Sequence, residues 1–355
     1  MTNKKILSVA ASIIKLFIIL TLFNSNSNSK AEENNIKYYS DDMGTLVLMY
    51  HRFNESKYPS TNIQMDIFEQ QVKIIKGNKY NFYDPKEFSL NFKLPKKEKK
   101  ILITIDDGFS SFYENAWPFL KENKIPFILF ISTKAVGNFG YMTWDEIQEI
   151  EKEKFVYIGN HSHSHDYLVD LNEKKFLKDI DKSIKIFRDK LGYNPIFFSY
   201  PFGEYSNFIK NHISQNFKFS FGQHSGVIDV NKNSFELPRF PINEKYGDLK
   251  RFKFLINLQP LQFKKMLPEE KYINIKNNPP NFSVVFFKNQ KNIKNINCFS
   301  DEGNKWEKSY TSFENNILKI KFRDKFLFRR GRINCSLNND GIWRWFGVQF
   351  SVKTD

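Results

Sequence analysis

Ile101-Leu-Ile-Thr-Ile-Asp-Asp-Gly-Phe109 decides how the rest of this chain is read. Four branched apolar residues and a threonine run straight into two adjacent carboxylates and a glycine. A strand with no polar face is covered on both sides, which points to a parallel sheet or barrel. The carboxylates then stand at the strand's C-terminal end, where α/β folds assemble their sites. Adjacent side chains diverge at a strand end, so Asp106 and Asp107 are able to do different jobs, one on a metal and one on a proton. Gly108 permits a sharp turn and the close approach of a ligand.

A second stretch has the same form. Val156-Tyr-Ile-Gly-Asn-His161-Ser-His-Ser-His165 is a short apolar strand that ends in three histidines within five positions. His161 and His165 are four apart, so a turn of helix or a tight loop brings both imidazoles to one side. Imidazole suits zinc and related divalent metals. Two histidines and one carboxylate, with positions left over, make a catalytic metal site rather than a closed structural one.

Outward from these stretches the chain alternates. Thr45–His51 reads as the first buried strand, with His51 at its end serving either the site or a loop hydrogen bond. Helical periodicity covers 66–76, 111–123 and 172–191, with Gly192 as a C-terminal cap, and Thr143-Trp-Asp-Glu146 is a capping box. Strands at 126–131, 196–200 and 217–221 and a helix at 206–215 complete repeated strand–helix units, about seven in number. Composition changes after Tyr246, and from Phe282 short alternating segments predict a small antiparallel β-domain. The expected division is 43–260 for the barrel, 261–281 for a linker and 282–355 for the β-domain.

Residues 1–31 carry Lys4 and Lys5, a short apolar core at Leu16–Phe23 and a small-residue cleavage site at Ser29-Lys-Ala31. They read as a signal peptide or N-terminal anchor, followed by a flexible segment at 32–42. The mature protein is then exported, periplasmic or extracellular. In that compartment the only two cysteines, Cys298 and Cys335, pair as a disulfide. Part of the net charge of +15 goes with a composition rich in Lys, Asn, Ile and Phe, and a basic surface is able to attract nucleic acid, anionic membrane or acidic glycan. No basic block interleaved with aromatics suggests a nucleic-acid partner.

Thr104-Ile-Asp-Asp-Gly108, His161-Ser-His-Ser-His165 and Phe198-Ser-Tyr-Pro-Phe-Gly203 resemble, in order, the first three motifs of the polysaccharide deacetylases, the NodB homology family of carbohydrate esterases. The third is similar to its variant in biofilm poly-N-acetylglucosamine deacetylases. The resemblance covers about Leu46 to Ile242 and implies an α/β fold, a distorted (β/α)7-type barrel, here followed by the β-domain. It implies a metal-dependent N-deacetylase acting on an N-acetylated glycan. Asp107, His161 and His165 would be the metal ligands, Asp106 the general base and the backbone N–H of Phe202 the oxyanion donor. Zinc is the expected metal, with Co, Ni, Mn or Fe as alternatives.

Two departures stand out. The usual third motif begins with Arg where this chain has Ser199, and the usual Asp-x-x-Asp-Trp motif is missing. Arg239, in Leu237-Pro-Arg-Phe-Pro-Ile242, is read as the replacement charge. The family's Leu-x-His acid appears as Leu-Pro-Arg, so His224, which follows a barrel strand, is the expected general acid. Two other classes remain open at this stage: a vestigial carbohydrate-binding protein, in which Trp306, Trp343 and Trp345 stack on sugars, and a metal-dependent hydrolase of another ester or amide. The β-domain, with Arg329, Arg330, Arg332 and Arg344 among its basic residues, is expected to recruit polymer.

Overall fold

The computed structural model describes residues 39–353 other than 289 and 304, and these belong to one compact unit. The signal segment 1–31 lies outside the described residues. Among the described residues no helix is long and apolar enough to cross a membrane. Of the segment expected to be flexible, residues 39–42 are held in place. Tyr39 and Asp41 are buried, and Asp41 accepts hydrogen bonds from the Gly44 and Lys96 N–H groups.

Six parallel strands form the staves of a curled sheet: β1 (Thr45–Tyr50), β2 (Lys100–Ile105), β3 (Phe127–Ile131), β4 (Val156–Asn160), β5 (Phe197–Ser199) and β6 (Phe219–Phe221), paired in that order. Parallel pairing follows from the helices between consecutive strands, which carry the chain back to the same end. The longest, α1 (Glu173–Leu191), starts where the Asn172 side chain accepts from the Lys175 N–H and stops at left-handed Gly192.

Leu237-Pro-Arg-Phe-Pro241 acts as the seventh stave. Leu237 bridges to Phe221 of β6, and Phe240 pairs in parallel with Leu48 of β1. The barrel is therefore closed by a short run whose two prolines remove ladder donors, as suits its marginal pairing.

Side-chain alternation positions the chemistry. Along β2, Ile101, Ile103 and Ile105 pack toward the helices with Phe68, Trp117 and Ile147. Leu102 joins an inner cluster with Val47, Phe130 and Phe221. Thr104 and Asp106 continue the inward parity. Each buried isoleucine contributes roughly 1.5–3 kcal/mol, and a one-residue slip would move all of them to the wrong face. The apolar residues thus fix the register that aims Asp106 into the barrel.

The C-terminal region is two facing sheets around one core. It starts earlier than expected. Residues 261–281 are not a linker. Within them, β7 (Lys265–Leu267) pairs with β9 (Phe282–Val285) and β8 (Tyr272–Ile273) pairs with β13 (Ile342–Val352). Strands of two or three residues have no readable period, which is why the sequence showed only loop. β10 (Asn297–Asp301), β11 (Ile317–Lys321) and β12 (Arg330–Asn339) supply the rest of the core with Phe286, Leu318, Ile333 and Phe350. Cys298 of β10 and Cys335 of β12 lie opposite each other in register and are bonded.

Candidate active site

Asp106 and Arg239 form a fully buried pair. The Arg239 guanidinium donates to Asp106 Oδ1 at 2.7 Å and to Oδ2 at 2.8 Å. Its remaining donors are also used: Nε on Gly222 O at 2.9 Å, Nη1 on Thr104 Oγ1 at 3.2 Å and Nη2 on Ser199 Oγ at 2.8 Å. Ser199 Oγ in turn donates to Asp106 Oδ2 at 3.3 Å. Burial pulls the Asp106 carboxyl upward. The Arg239 guanidinium, with His161 and His51 behind it, outweighs burial and holds it below its ordinary value. The seventh stave thus puts its arginine beside the first carboxylate, in a chain that lacks arginine at position 199.

Asp107 breaks the inward parity. Its φ of 76°, followed by 76° at Gly108, swings its carboxylate away from Asp106. A Cβ on Gly108 would sit 2.7 Å from Ile131 Cδ1, so the turn needs glycine for space as well as for backbone. Asp107 Oδ1 ends 3.3 Å from His161 Nε2 and 3.1 Å from His165 Nε2. One donor atom from each of the three lies within 4.8 Å of the others. Asp107 Oδ1 and His161 Nε2 are buried without a hydrogen-bond partner, an arrangement costly unless a cation takes them up.

The histidine loop is built for this. His161 Nδ1 is 2.6 Å from Ser199 O; a carbonyl only accepts, so Nδ1 carries the proton and Nε2 offers its lone pair. Buried Asp179 of α1 accepts from the His163 and Ser164 N–H groups at 2.8 and 2.9 Å, and Asn160 Oδ1 accepts from the Ser162 N–H. Ser162 Oγ accepts from the His165 N–H, and both residues take positive φ. His163 turns aside to Thr133 Oγ1. A carboxylate and two imidazole lone pairs fit a divalent cation of the zinc type. Asp179 and Asn160 escaped the sequence reading because a helix-buried Asp and a strand-end Asn carry no signature of what they cap.

The Tyr200–Glu204 turn borders the same cleft. Phe202 has φ 59° and ψ 6°, a left-handed conformation unusual for a side chain of its size. Its ring stacks on Tyr167 at 4.1 Å and meets the His165 ring at 4.7 Å. The turn is clamped from the β-domain. Gln349 Nε2 donates to Phe202 O at 3.1 Å, and Arg329 and Arg330 both hold buried Glu204. The β-domain therefore shapes the site itself, a part that the sequence did not suggest for it. Trp343 and Arg344 do not face the cleft: Trp343 packs on Phe254, and Arg344 bonds Asp42.

His224 lines the same cleft as Asp107 and His165 but stands apart from their donor cluster. The charges around its ring are Glu236, Lys232 and Lys271, and none belongs to the Asp106–Asp107 cluster. The strand before it ends at Phe221, and the ring folds back on Gly222. His51 is the histidine whose surroundings include Asp107, Asp106, Arg239 and His161. Burial lowers it, against the pull of the two aspartates.

Burial pushes His224 down to about 4. The unfolded chain then binds the extra proton between pH 6.5 and 4, so stability is complete above 6.5 and falls as pH drops toward 4. The expected loss is on the order of 2 kcal/mol. Urea unfolding of wild type and His224→Gln at pH 7 and pH 4.5 checks this: the variant should lose less between the two.

Residues 93–217 match the family model described as Polysaccharide deacetylase. The chain is 30% identical over 162 residues to the Bacillus subtilis protein named "Putative polysaccharide deacetylase YxkH"; this spans 45% of the chain and 57% of that relative. It is 24% identical over 273 residues to poly-beta-1,6-N-acetyl-D-glucosamine N-deacetylase of Staphylococcus aureus strain N315, spanning 69% of the chain and 94% of the relative. The structure of IcaB from Ammonifex degensii superimposes with a TM-score of 0.54 at 25% identity, covering 61% of this chain and 98% of that one. Arg239 and the β-domain lie beyond the matched family model.

Proposed function

We propose that this chain, which carries a polysaccharide deacetylase domain over residues 93–217, hydrolyses N-acetyl groups of an N-acetylated polysaccharide outside the cytoplasm. The carrying observation is the juxtaposition at one barrel mouth of an arginine-clamped carboxylate and three converging donor atoms, two of them buried and unpartnered. Asp107, His161 and His165 would hold the cation, zinc first, with Co, Ni, Mn or Fe suiting the same donors. When bound, such a cation supplies Lewis acidity toward an amide carbonyl and toward water.

Asp106, kept ionised by Arg239, accepts the proton of the attacking water on a carboxylate oxygen. The Phe202 N–H donates to the carbonyl oxygen as it gains negative charge, with the turn held by Gln349 and Glu204. The proton taken up by Asp106 then passes to the departing amine, with His51, on the cleft beside Asp107, as the group that relays it. The products are acetate and a free amino sugar. The names of the Staphylococcus aureus and Bacillus subtilis relatives support a polysaccharide as substrate.

The test is acetate release from chitin oligomers, poly-N-acetylglucosamine and peptidoglycan, with and without chelator. Chelator-sensitive release from at least one is expected. Glycan binding with metal present and no release from any of them would favour the vestigial carbohydrate-binding reading.

A further inference from the structure

The cleft that contains Asp107, His165 and Phe202 has a volume of about 800 Å³ and continues well past them. Its far wall is the β-domain. Arg330, Arg332, Asn334 and Ser336 line it from one strand, β12, at every second position, as the period of a strand requires. Phe299 and Trp306 line it from neighbouring strands and are 42% and 38% exposed. Phe299 sits opposite Asn334 in the sheet.

The charge on this wall is one-sided. Arg251, Arg330 and Arg332 face the cleft, and the only carboxylate among the lining residues is Asp107, which belongs to the donor cluster. Arg330 spends its Nε on Glu204 at 2.7 Å, and Arg332 spends its Nε on Gln349 Oε1 at 3.2 Å. Among the described residues the Nη groups of both have no hydrogen-bond acceptor. Two guanidinium forks therefore point their unused donors into a partly desolvated cleft. Planar forks of this kind match a carboxylate or phosphate.

Deacetylation leaves an amine on each sugar, so an all-amino-sugar product grows cationic and meets a wall whose lining charges are arginines, only Arg330 of them ion-paired to Glu204 at this face. A glycan that also carries acid groups would be held. We infer that the β-domain wall is a substrate subsite for an anionic group, carboxylate or phosphate, on a sugar next to the one deacetylated, with Phe299 and Trp306 offering faces for the sugar rings. This rests on the deacetylase reading above, and names its substrate class.

Binding is measured by calorimetry on the chain with metal chelated, so that nothing turns over, and acetate release is measured on the metal-loaded chain. The probes are oligomers of equal length: neutral N-acetylglucosamine, N-acetylglucosamine alternating with glucuronic acid, and N-acetylhexosamine joined by phosphodiesters. At low salt at least one acidic oligomer is expected to bind about tenfold more tightly than the neutral one, with the advantage shrinking at high salt. Which acidic oligomer wins identifies the anionic group. The ratio should fall toward one in Arg332→Gln and only partway in Arg332→Lys, which keeps the charge but not the planar fork. Asn334→Asp, which keeps the acceptor used by Ser225 Oγ, should abolish it by placing a negative charge on the same wall.

Equal affinity for all three oligomers, or a preference unmoved by both Arg332→Gln and Asn334→Asp, would overturn the inference. Tighter acidic binding without acetate release from any oligomer would instead defeat the deacetylase reading and leave the subsite standing. Release from all three with equal affinity would do the reverse.

Discussion

Asp106→Asn is expected to retain the bound metal and to release acetate about 10²–10⁴ times more slowly than wild type. The amide keeps the shape of the carboxylate but accepts no proton from water at neutral pH. Metal retention follows from Asp107 and not Asp106 supplying the converging oxygen. The substitution also leaves Arg239 charged and buried, so the variant should be less stable, and rates must be read on folded protein. Plasma mass spectrometry for metal, circular dichroism for fold and acetate release separate these effects. Full activity would remove Asp106 from the role of base.

Arg239→Gln is expected to cost about 3–5 kcal/mol of folding stability, because it strands a buried carboxylate. It should also shift the pH profile. Arg239 is the largest influence holding the Asp106 carboxyl down against burial. Without it burial raises that carboxyl, so Asp106 is protonated at a higher pH and the acid limb of acetate release moves upward. An Asp106→Asn/Arg239→Gln double variant should recover part of the stability and none of the rate. An unchanged acid limb in folded Arg239→Gln would mean that the pair does not set the base.

The chemistry of the first two motifs was legible because residues and geometry are local there. A continuous apolar strand ending in Asp-Asp-Gly specifies a strand end, and histidines four apart in a loop specify one side of it. The Asp106–Arg239 contact is different. It joins residues 133 apart in sequence through a stave flanked by prolines, which shows no strand period. Position 199 signalled that an arginine was missing and Arg239 was the candidate to replace it, but the bidentate contact itself follows from the closure of the barrel. His224 shows what a strand-end argument leaves out: it borders the cleft, but β6 has three residues and then Gly222, and the charges nearest its ring are Glu236, Lys232 and Lys271. The wall of the cleft was hidden for another reason. Along β12 the alternation is plain, but sequence alone cannot distinguish a polar face in bulk water from one against a second domain's active site.

The most direct measurement titrates chelated protein with a divalent cation, reading acetate release and bound metal in the same samples. A cation held by Asp107, His161 and His165 predicts release that rises with metal and levels at one ion per chain, and loss of both in a His161→Ala/His165→Ala variant. Full-rate release from metal-free protein, or full metal occupancy in that double variant, would contradict it.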